Sequence, residues 1–572
     1  MANLLLSLLS VAAWQARLRF KQKIRHVASV QETFLQTLLR HHQGTAFGQD
    51  YGLADIKTVD QFRERIPVLP YSCYEPYIER IANGEANVLN PDPVVYLNLT
   101  SGTTGKQKLV PVTDRSRRIL DRANQVSMGF AIQAAHRHGR RIGKMLLTSS
   151  VQLLGHTAGG IPYGPVSAGN LRLLGSFYQQ IFAHPFEALK PADTLARHYV
   201  CLLFALRDPS LAVIGANFPV LALRLCDYLE TYAEDLVQDL ATGTIAPWLN
   251  LEPELRTTLE RQLSPAPKRA AQLRHTLKTA GRLTPQLAWP NLSFLTTARG
   301  GSSDFYFQRF PDYFGNTPIF GGIYSSSEAT FGLYNDFNTD GTVLSIESAF
   351  FEFVPEDQWH LTQPKTVLAE EVKVGELYRI LVTNYSGFYR YDIGDVVEVV
   401  GFYERAPLIT FRHRLGGLLS STTEKTTEFH VVQVMQRLQH EFGVALENFC
   451  VTLSEQNVPP HYLVNIERVP DQHPVDWAAF IEQFDRHLQE IHVSYANKRI
   501  DRQIPPPRLR ILASGSYAIL RQRLLQRGTH ESQLKFPHIN EDRHFLSGLT
   551  VEREVRSPED NGYAKPIRAL EQ

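Results

Sequence analysis

Up to about Thr342, short apolar runs alternate with longer segments whose apolar residues recur at helical spacing. Val94–Leu97, Met145–Leu147, Leu211–Ile214, Phe294–Thr297 and Pro318–Phe320 are too short for helices and predict strands. Phe34–Leu39, Val59–Ile66, Arg115–Gln133 and Val220–Leu240 predict helices. Strands separated by helices predict an α/β body with extensive parallel pairing. From Thr342 to Phe411 the strands crowd together, as Val343–Glu352, Leu377–Thr383, Val396–Val400 and Leu408–Thr410, and predict a sheet-rich subdomain closing the large domain. The paired glycines of His413-Arg-Leu-Gly-Gly417 can absorb large dihedral changes and are the expected hinge. Beyond them, helices at Val431–Phe442 and Trp477–Ile491 alternate with strands at Val451–Leu453, Tyr462–Ile466 and Leu509–Leu512. This predicts a small α+β domain of roughly 150 residues, an ordinary domain size. The expected divisions are a large domain over 1–413, a hinge over 414–420 and a small domain over 421–572. The charged span Arg256–Arg282, with Pro265 and Pro267, reads as a solvated helical excursion.

The first residues change this picture little. Met1 to Trp14 is mostly apolar and uncharged, and a basic stretch, Arg17 to Arg25, follows it. A signal peptide carries its positive charge before the apolar stretch, and a spanning helix needs about 20 apolar residues. A helix packed on the body is expected; a weak contact with a membrane surface is the alternative. At 572 residues, two or more domains are required. With 59 basic and 58 acidic residues, net charge +1, no global field draws nucleic acid or an anionic membrane, so the expected partner is small. The four cysteines, Cys73, Cys201, Cys226 and Cys450, show no metal-ligand spacing. Scattered thiols in a chain this large fit a reducing, cytoplasmic compartment.

The densest chemistry lies in Tyr96-Leu-Asn-Leu-Thr-Ser-Gly-Thr-Thr-Gly-Lys-Gln-Lys108. A strand-like run leads into Thr100, Ser101, Gly102, Thr103, Thr104 and Gly105, and Lys106 and Lys108 follow. Glycines let backbone N–H groups approach an anion, hydroxyls add donors, and lysine adds point charge that suits phosphate. The spacing is not that of a Walker A loop, which needs four residues between its glycines and Lys-Ser/Thr after them. A polar turn after a strand is the plainer alternative. Two further segments carry chemistry: Tyr324-Ser-Ser-Ser-Glu328 and Phe388-Tyr-Arg-Tyr-Asp-Ile-Gly-Asp395. Taken alone, Ser-Ser-Ser-Glu also suits a helix N-cap with a first-turn acid, and Asp395 a turn before a strand. There is no Gly-x-Ser-x-Gly elbow and no His-Glu-x-x-His pattern, so neither a serine hydrolase nor a zinc protease is indicated.

In this order the three segments resemble the signature of the adenylate-forming superfamily. More narrowly, the chain resembles the auxin-responsive (Gretchen Hagen) family of acyl-acid amido synthetases. Gly44-Thr-Ala-Phe-Gly-Gln-Asp-Tyr-Gly52, Phe62-Arg-Glu-Arg-Ile-Pro-Val-Leu-Pro-Tyr71 and Gln533-Leu-Lys-Phe-Pro537 extend the likeness over nearly the whole chain. The resemblance implies an α/β fold: a large adenylate-forming domain of mixed sheets with a β-rich subdomain, and a small mobile α+β C-terminal domain. It implies that the Thr100–Lys108 loop cradles the β- and γ-phosphates of ATP, Tyr324 stacks on adenine and Ser327 contacts the α-phosphate. Glu328 would ligate Mg²⁺ and Asp395 would take the ribose hydroxyls. Arg414 would contact ribose or phosphate, and Lys425 or Lys535 would reach the α-phosphate in one position of the small domain. Asp392 departs from the basic residue usual in plant members. The glycine-rich run Leu154–Gly164 resembles the segment lining the acyl-acid site, where His156 is a pocket wall or a satisfied histidine.

These residues suit acyl activation. A carboxylate repels nucleophiles, and an amine meeting a carboxylic acid merely exchanges a proton. Attack on the α-phosphate of ATP gives acyl-AMP, from which an amine displaces AMP. The enzyme must neutralise the phosphates and hold the nucleotide. The function indicated is an ATP- and Mg²⁺-dependent ligase joining a small carboxylic acid to an amine, with an amino acid as the expected acceptor. Two alternatives remain: a thioester-forming ligase acting on coenzyme A or a carrier thiol, and a catalytically silent nucleotide-binding regulator.

Overall fold

A computed structural model describes residues 4–100, 108–172, 181–415, 417–455, 457, 459–470, 472–526, 534–557 and 559–560. Contacts divide the chain into two units, Met1–Phe411 and Arg412–Gln572. The division falls inside the strand Ala406–Arg414.

In the first unit the helix Leu4–Lys23 lies against Asp114–Arg137. Gly129 makes the approach possible: a Cβ there would stand 2.3 Å from the Ala13 carbonyl oxygen. The second helix starts at a capping box in which Thr113 and Ser116 satisfy each other's backbone amides. A four-stranded parallel sheet follows, with Met145–Leu147, Val213–Gly215, Phe294–Thr296 and Ile319–Phe320 in that spatial order. The largely apolar helix Thr194–Leu206 is buried from Ala196 to its end, with Arg197 and His198 satisfied by hydrogen bonds to the Thr148 and Thr194 carbonyls. The single helix expected over Val220–Leu240 is two, Pro219–Thr231 and Ala233–Thr242. The join is Tyr232, whose ring packs against Trp248 at 5.1 Å. The charged excursion is two further helices, Pro253–Gln262 and Pro267–Ala280.

Parallel pairing is less extensive than expected. A second four-stranded sheet is mixed: Val94–Leu99 runs parallel to Pro162–Gly164 and antiparallel to Leu109–Thr113. The largest sheet has seven strands, in the order Phe350–Pro355, Leu377–Thr383, Tyr391–Tyr403, Ala406–Arg414, Thr342–Leu344, Thr330–Tyr334 and Ile323–Ser325. Its recorded pairs are antiparallel. The run Val343–Glu352 is broken into two of these strands by the Ser345–Ser348 turn, in which the Ser348 amide donates to the Ser345 carbonyl. One apolar core joins the N-terminal helices to this sheet.

The second unit is a four-stranded sheet of Leu446–Leu453, Tyr462–Arg468, Arg508–Leu512 and Val551–Arg556. The central pair is parallel and the outer pairs antiparallel. Among its helices are Glu428–Phe442 and Trp477–Ile491. The mixed α/β class agrees with the sequence reading. No helix among the described residues is long and apolar enough to cross a membrane.

Candidate nucleotide site

The glycine-rich segment joins two antiparallel strands. Leu99 pairs with Leu109, and the Thr100 amide donates to the Lys108 carbonyl at 2.9 Å. Ser101, Gly102, Thr103, Thr104, Gly105 and Lys106 lie outside the described residues. Thr100 and Lys108, which flank them, are described. Thr100 is buried, and its hydroxyl has no hydrogen-bond partner among the described residues. An orphaned buried hydroxyl is costly, and a phosphate oxygen would satisfy it. The Lys108 Nζ lies 4.9 Å from the centroid of the Tyr71 ring.

Tyr324 and Glu328 sit on a hairpin rather than at a helix start. Ile323–Ser325 and Thr330–Tyr334 pair antiparallel. Between them the Ser326 amide donates to the Ala329 carbonyl at 2.8 Å, and the Ser326 hydroxyl accepts from the Glu328 and Ala329 amides at 3.2 Å each. Ser327 is half-buried in this turn. The Tyr324 ring stacks on Phe331 at 4.8 Å and meets Phe411 at 5.8 Å. Gly301, at φ +59°, lets its backbone approach Phe411: a Cβ would stand 3.0 Å from that ring. Glu328 is buried. Its carboxylate accepts from the Tyr391 hydroxyl at 3.4 Å, and its carbonyl accepts from Asn384 Nδ2 at 2.8 Å.

Asp395 lies within the strand Tyr391–Tyr403, not after one. Asp392 is paired with Leu381 and Val396 with Arg379, so this strand carries two residues more than its neighbour between those points. Gly394 takes φ +81° in this bulge, and its amide donates to Asp392 Oδ1 at 2.9 Å. Bulges of this kind re-aim side chains. Here the bulge sets Asp395, only 2% exposed, so that its Oδ2 accepts from the Tyr324 hydroxyl at 2.9 Å. Burial raises the pKa of Asp392, and the nearby Arg379 guanidinium works against that shift.

The strand's start is anchored by Arg390, which the motif contains but whose part is visible only in three dimensions. Arg390 is buried at φ +45°. Its Nε reaches both Glu352 oxygens, at 3.2 and 3.0 Å, and its Nη1 donates to the carbonyls of Arg63 and Ile66. Leu69 bridges to the same strand, exchanging backbone bonds with Arg390 and Asp392. Spacing gives no signal for Arg390, Tyr391 or Asn384 as supports. The nearest available hint is that Arg390 and Tyr391 lie within five residues of Asp395.

Arg414, Lys425 and Lys535 belong to the second unit. Arg414 is half-buried at its strand's end. Lys425 is exposed at φ +58°, and its amide donates to the Ser420 hydroxyl at 2.9 Å. The turn before it is held by buried Glu424, which accepts from the Ser421 and Thr422 amides and from the Tyr462 hydroxyl. Those bonds hold the Glu424 carboxyl below its ordinary pKa against the opposing push of burial. Lys535 is exposed between Leu534 and Phe536, which are buried in that unit's core. His156 is exposed.

The fold is that of the adenylate-forming enzymes: a 2-hydroxyisobutyryl-CoA ligase in complex with an acyl-AMP matches it with a TM-score of 0.54 at 11% identity, covering 91% of this chain and 90% of that one. A GH3.15 acyl acid amido synthetase matches far more closely, with a TM-score of 0.83 at 23% identity over 95% of this chain and 97% of that one. The chain belongs to the GH3 family: the models of the family's N-terminal, central and C-terminal domains match residues 16–319, 342–414 and 429–544. An indole-3-acetic acid-amido synthetase of Arabidopsis thaliana is 26% identical over 553 residues, covering 91% of each chain.

Proposed function

We propose that the protein is an ATP-dependent acyl-acid amido synthetase, which adenylates a small carboxylic acid and transfers the acyl group to an amine, expected to be an amino acid. The observation that carries this reading is the hydrogen bond between Tyr324 and Asp395. It sets an aromatic face beside a two-oxygen acceptor, which suits adenine and the paired ribose hydroxyls. Thr100 and Lys108, with Ser101, Gly102, Thr103, Thr104, Gly105 and Lys106, bind the β- and γ-phosphates, and Ser327 the α-phosphate. Glu328, a buried carboxylate, would hold Mg²⁺. Magnesium is commonly held by one or two carboxylates with phosphate oxygens and water, and when bound it neutralises phosphate charge.

The acid's carboxylate oxygen attacks the α-phosphorus as the bond to pyrophosphate breaks. The amine nitrogen then attacks the acyl carbon, and AMP leaves with the electron pair. The C-terminal domain, turning on residues 414–420, brings Lys425 or Lys535 to the α-phosphate in the first step and withdraws it for the second. Arg414 contacts the ribose or a phosphate. A cytoplasmic location accords with the free thiols, three of them buried. The relatives' names make indole-3-acetic acid one acid to try; a 26% identity leaves the acid open.

The test is pyrophosphate release from ATP and Mg²⁺ with a panel of aryl and alkyl acids, each run with no acceptor, with pooled amino acids and with coenzyme A, and with products weighed by mass spectrometry. An amide formed only with amino acids supports the reading. A thioester would replace it with the coenzyme A ligase, and ATP binding without turnover across the panel would point to the regulator.

A further inference from the structure

We propose that Tyr71 is a positioning residue that sets Lys108 for the nucleotide; this rests on the ATP-dependent reading above. Tyr71 ends the segment Pro67-Val-Leu-Pro-Tyr, which is fastened at two points. Upstream, Leu69 exchanges backbone bonds with Arg390 and Asp392, at the start of the strand that carries Asp395. At its other end, the Tyr71 hydroxyl donates to the Leu109 carbonyl at 2.8 Å and accepts from the Leu109 amide at 2.9 Å. One side chain thereby occupies both backbone groups of the residue directly after Lys108. Its ring lies 4.9 Å from the Lys108 ammonium, within reach of a cation–π attraction. The contact restricts a long side chain that would otherwise sample many rotamers.

Tyr71 is thus a strut between two parts of the candidate site. It links the neck of the glycine-rich segment to the strand of the ribose aspartate, and it presents a lysine at that neck. Burial pushes the Tyr71 phenol up, outweighing the opposing pull of its hydrogen bond to Leu109. It therefore stays protonated and can keep both bonds to Leu109 across the working range.

A double-mutant cycle on the full chain tests this, reading ATP affinity by calorimetry and the KM for ATP by pyrophosphate release. Tyr71→Leu should weaken ATP about tenfold when Lys108 is present and by less than about twofold beside Lys108→Gln, the signature of coupled residues. Tyr71→Phe, which keeps the ring and drops the Leu109 bonds, should fall between wild type and Tyr71→Leu, and it remains informative if Tyr71→Leu fails to fold. The KM for the acid should stay unchanged throughout. The same loss in both backgrounds, or no loss in either, overturns the proposal, because a purely structural tyrosine would not notice Lys108. ATP binding without pyrophosphate release in the wild type would instead defeat the ligase reading while leaving the cycle readable from affinity. Failure of the wild type to bind ATP would defeat both.

Discussion

The two units present their candidate groups in opposite ways. In the first, Glu328 and Asp395 are buried carboxylates inside a lattice of hydrogen bonds from Tyr391 and Tyr324. In the second, Lys425 and Lys535 are exposed. Buried groups that bind a fixed part of a substrate gain from preorganisation, because little reorganisation is left when the substrate arrives. A lysine that must meet the phosphate in one step and leave it in the next gains from remaining solvated. On the proposed function, the contrast is between preorganised groups for the nucleotide and solvated lysines for the charge that would move.

The rigid side breaks at its anchor before it breaks at its ligand. Arg390→Met leaves Glu352, 1% exposed, with only the more distant Arg63 guanidinium at 3.8 Å and the Thr366 hydroxyl, and removing the nearer partner of a buried pair is expected to destabilise by up to about 3–5 kcal/mol. Thermal melting should register this as the largest loss of stability among these variants. Asp395→Ala should act differently, lowering pyrophosphate release by about a hundredfold, or about 3 kcal/mol of transition-state binding. Its melting temperature should change less than that of Arg390→Met. If Asp395→Ala turns over normally, Asp395 does not bind ribose.

A pH titration sharpens the same comparison. His42 is fully buried with Nδ1 2.7 Å from the Tyr389 hydroxyl, and burial, with His41 adding to it, lowers its pKa to about 3. The folded value lies below the unfolded 6.5, so the neutral ring stabilises the fold above pH 6.5. That stability is lost as pH falls toward 3, by about 1.4 kcal/mol per pH unit for one proton. Chemical denaturation between pH 7 and 4 should be less steep in pH for His42→Asn than for wild type. An unchanged slope would mean that other groups govern the acid limb.

Legibility in the sequence divides along the range of each interaction. Met145–Leu147, Leu377–Thr383 and Trp477–Ile491 fall on strands and a helix with the expected bounds, because each is a local pattern with an apolar face to bury. The strand Val551–Arg556 was not expected: its alternating Glu and Arg suit a charged edge and look like a solvated loop. The break at Tyr232 was also hidden, since no Gly or Pro lies there. At the site, Tyr324 and Asp395 stand 71 residues apart, and only a resemblance could pair them. The bulge at Gly394 depends on cross-strand pairing, and Lys425's left-handed backbone on a turn whose Glu424 is tied to distant Tyr462, which no spacing encodes.

The smallest expected effect bears most directly on the second unit. Lys425 holds φ +58°, a conformation that disfavours a side chain with a Cβ by about 1–2 kcal/mol. The turn keeps it there because Glu424 and Ser420 bind the neighbouring backbone. Lys425→Gly removes the Cβ clash but adds backbone freedom to the unfolded chain, so the net gain in stability should be about 1 kcal/mol or less. Strain at a candidate site residue motivates a test of whether its side chain is used. If it is, pyrophosphate release should fall in Lys425→Gly even as its melting temperature rises slightly, with Lys425→Ala losing the same activity without the gain. Full activity in the stabilised variant would remove Lys425 from the reaction and leave Lys535 as the charge that reaches the α-phosphate.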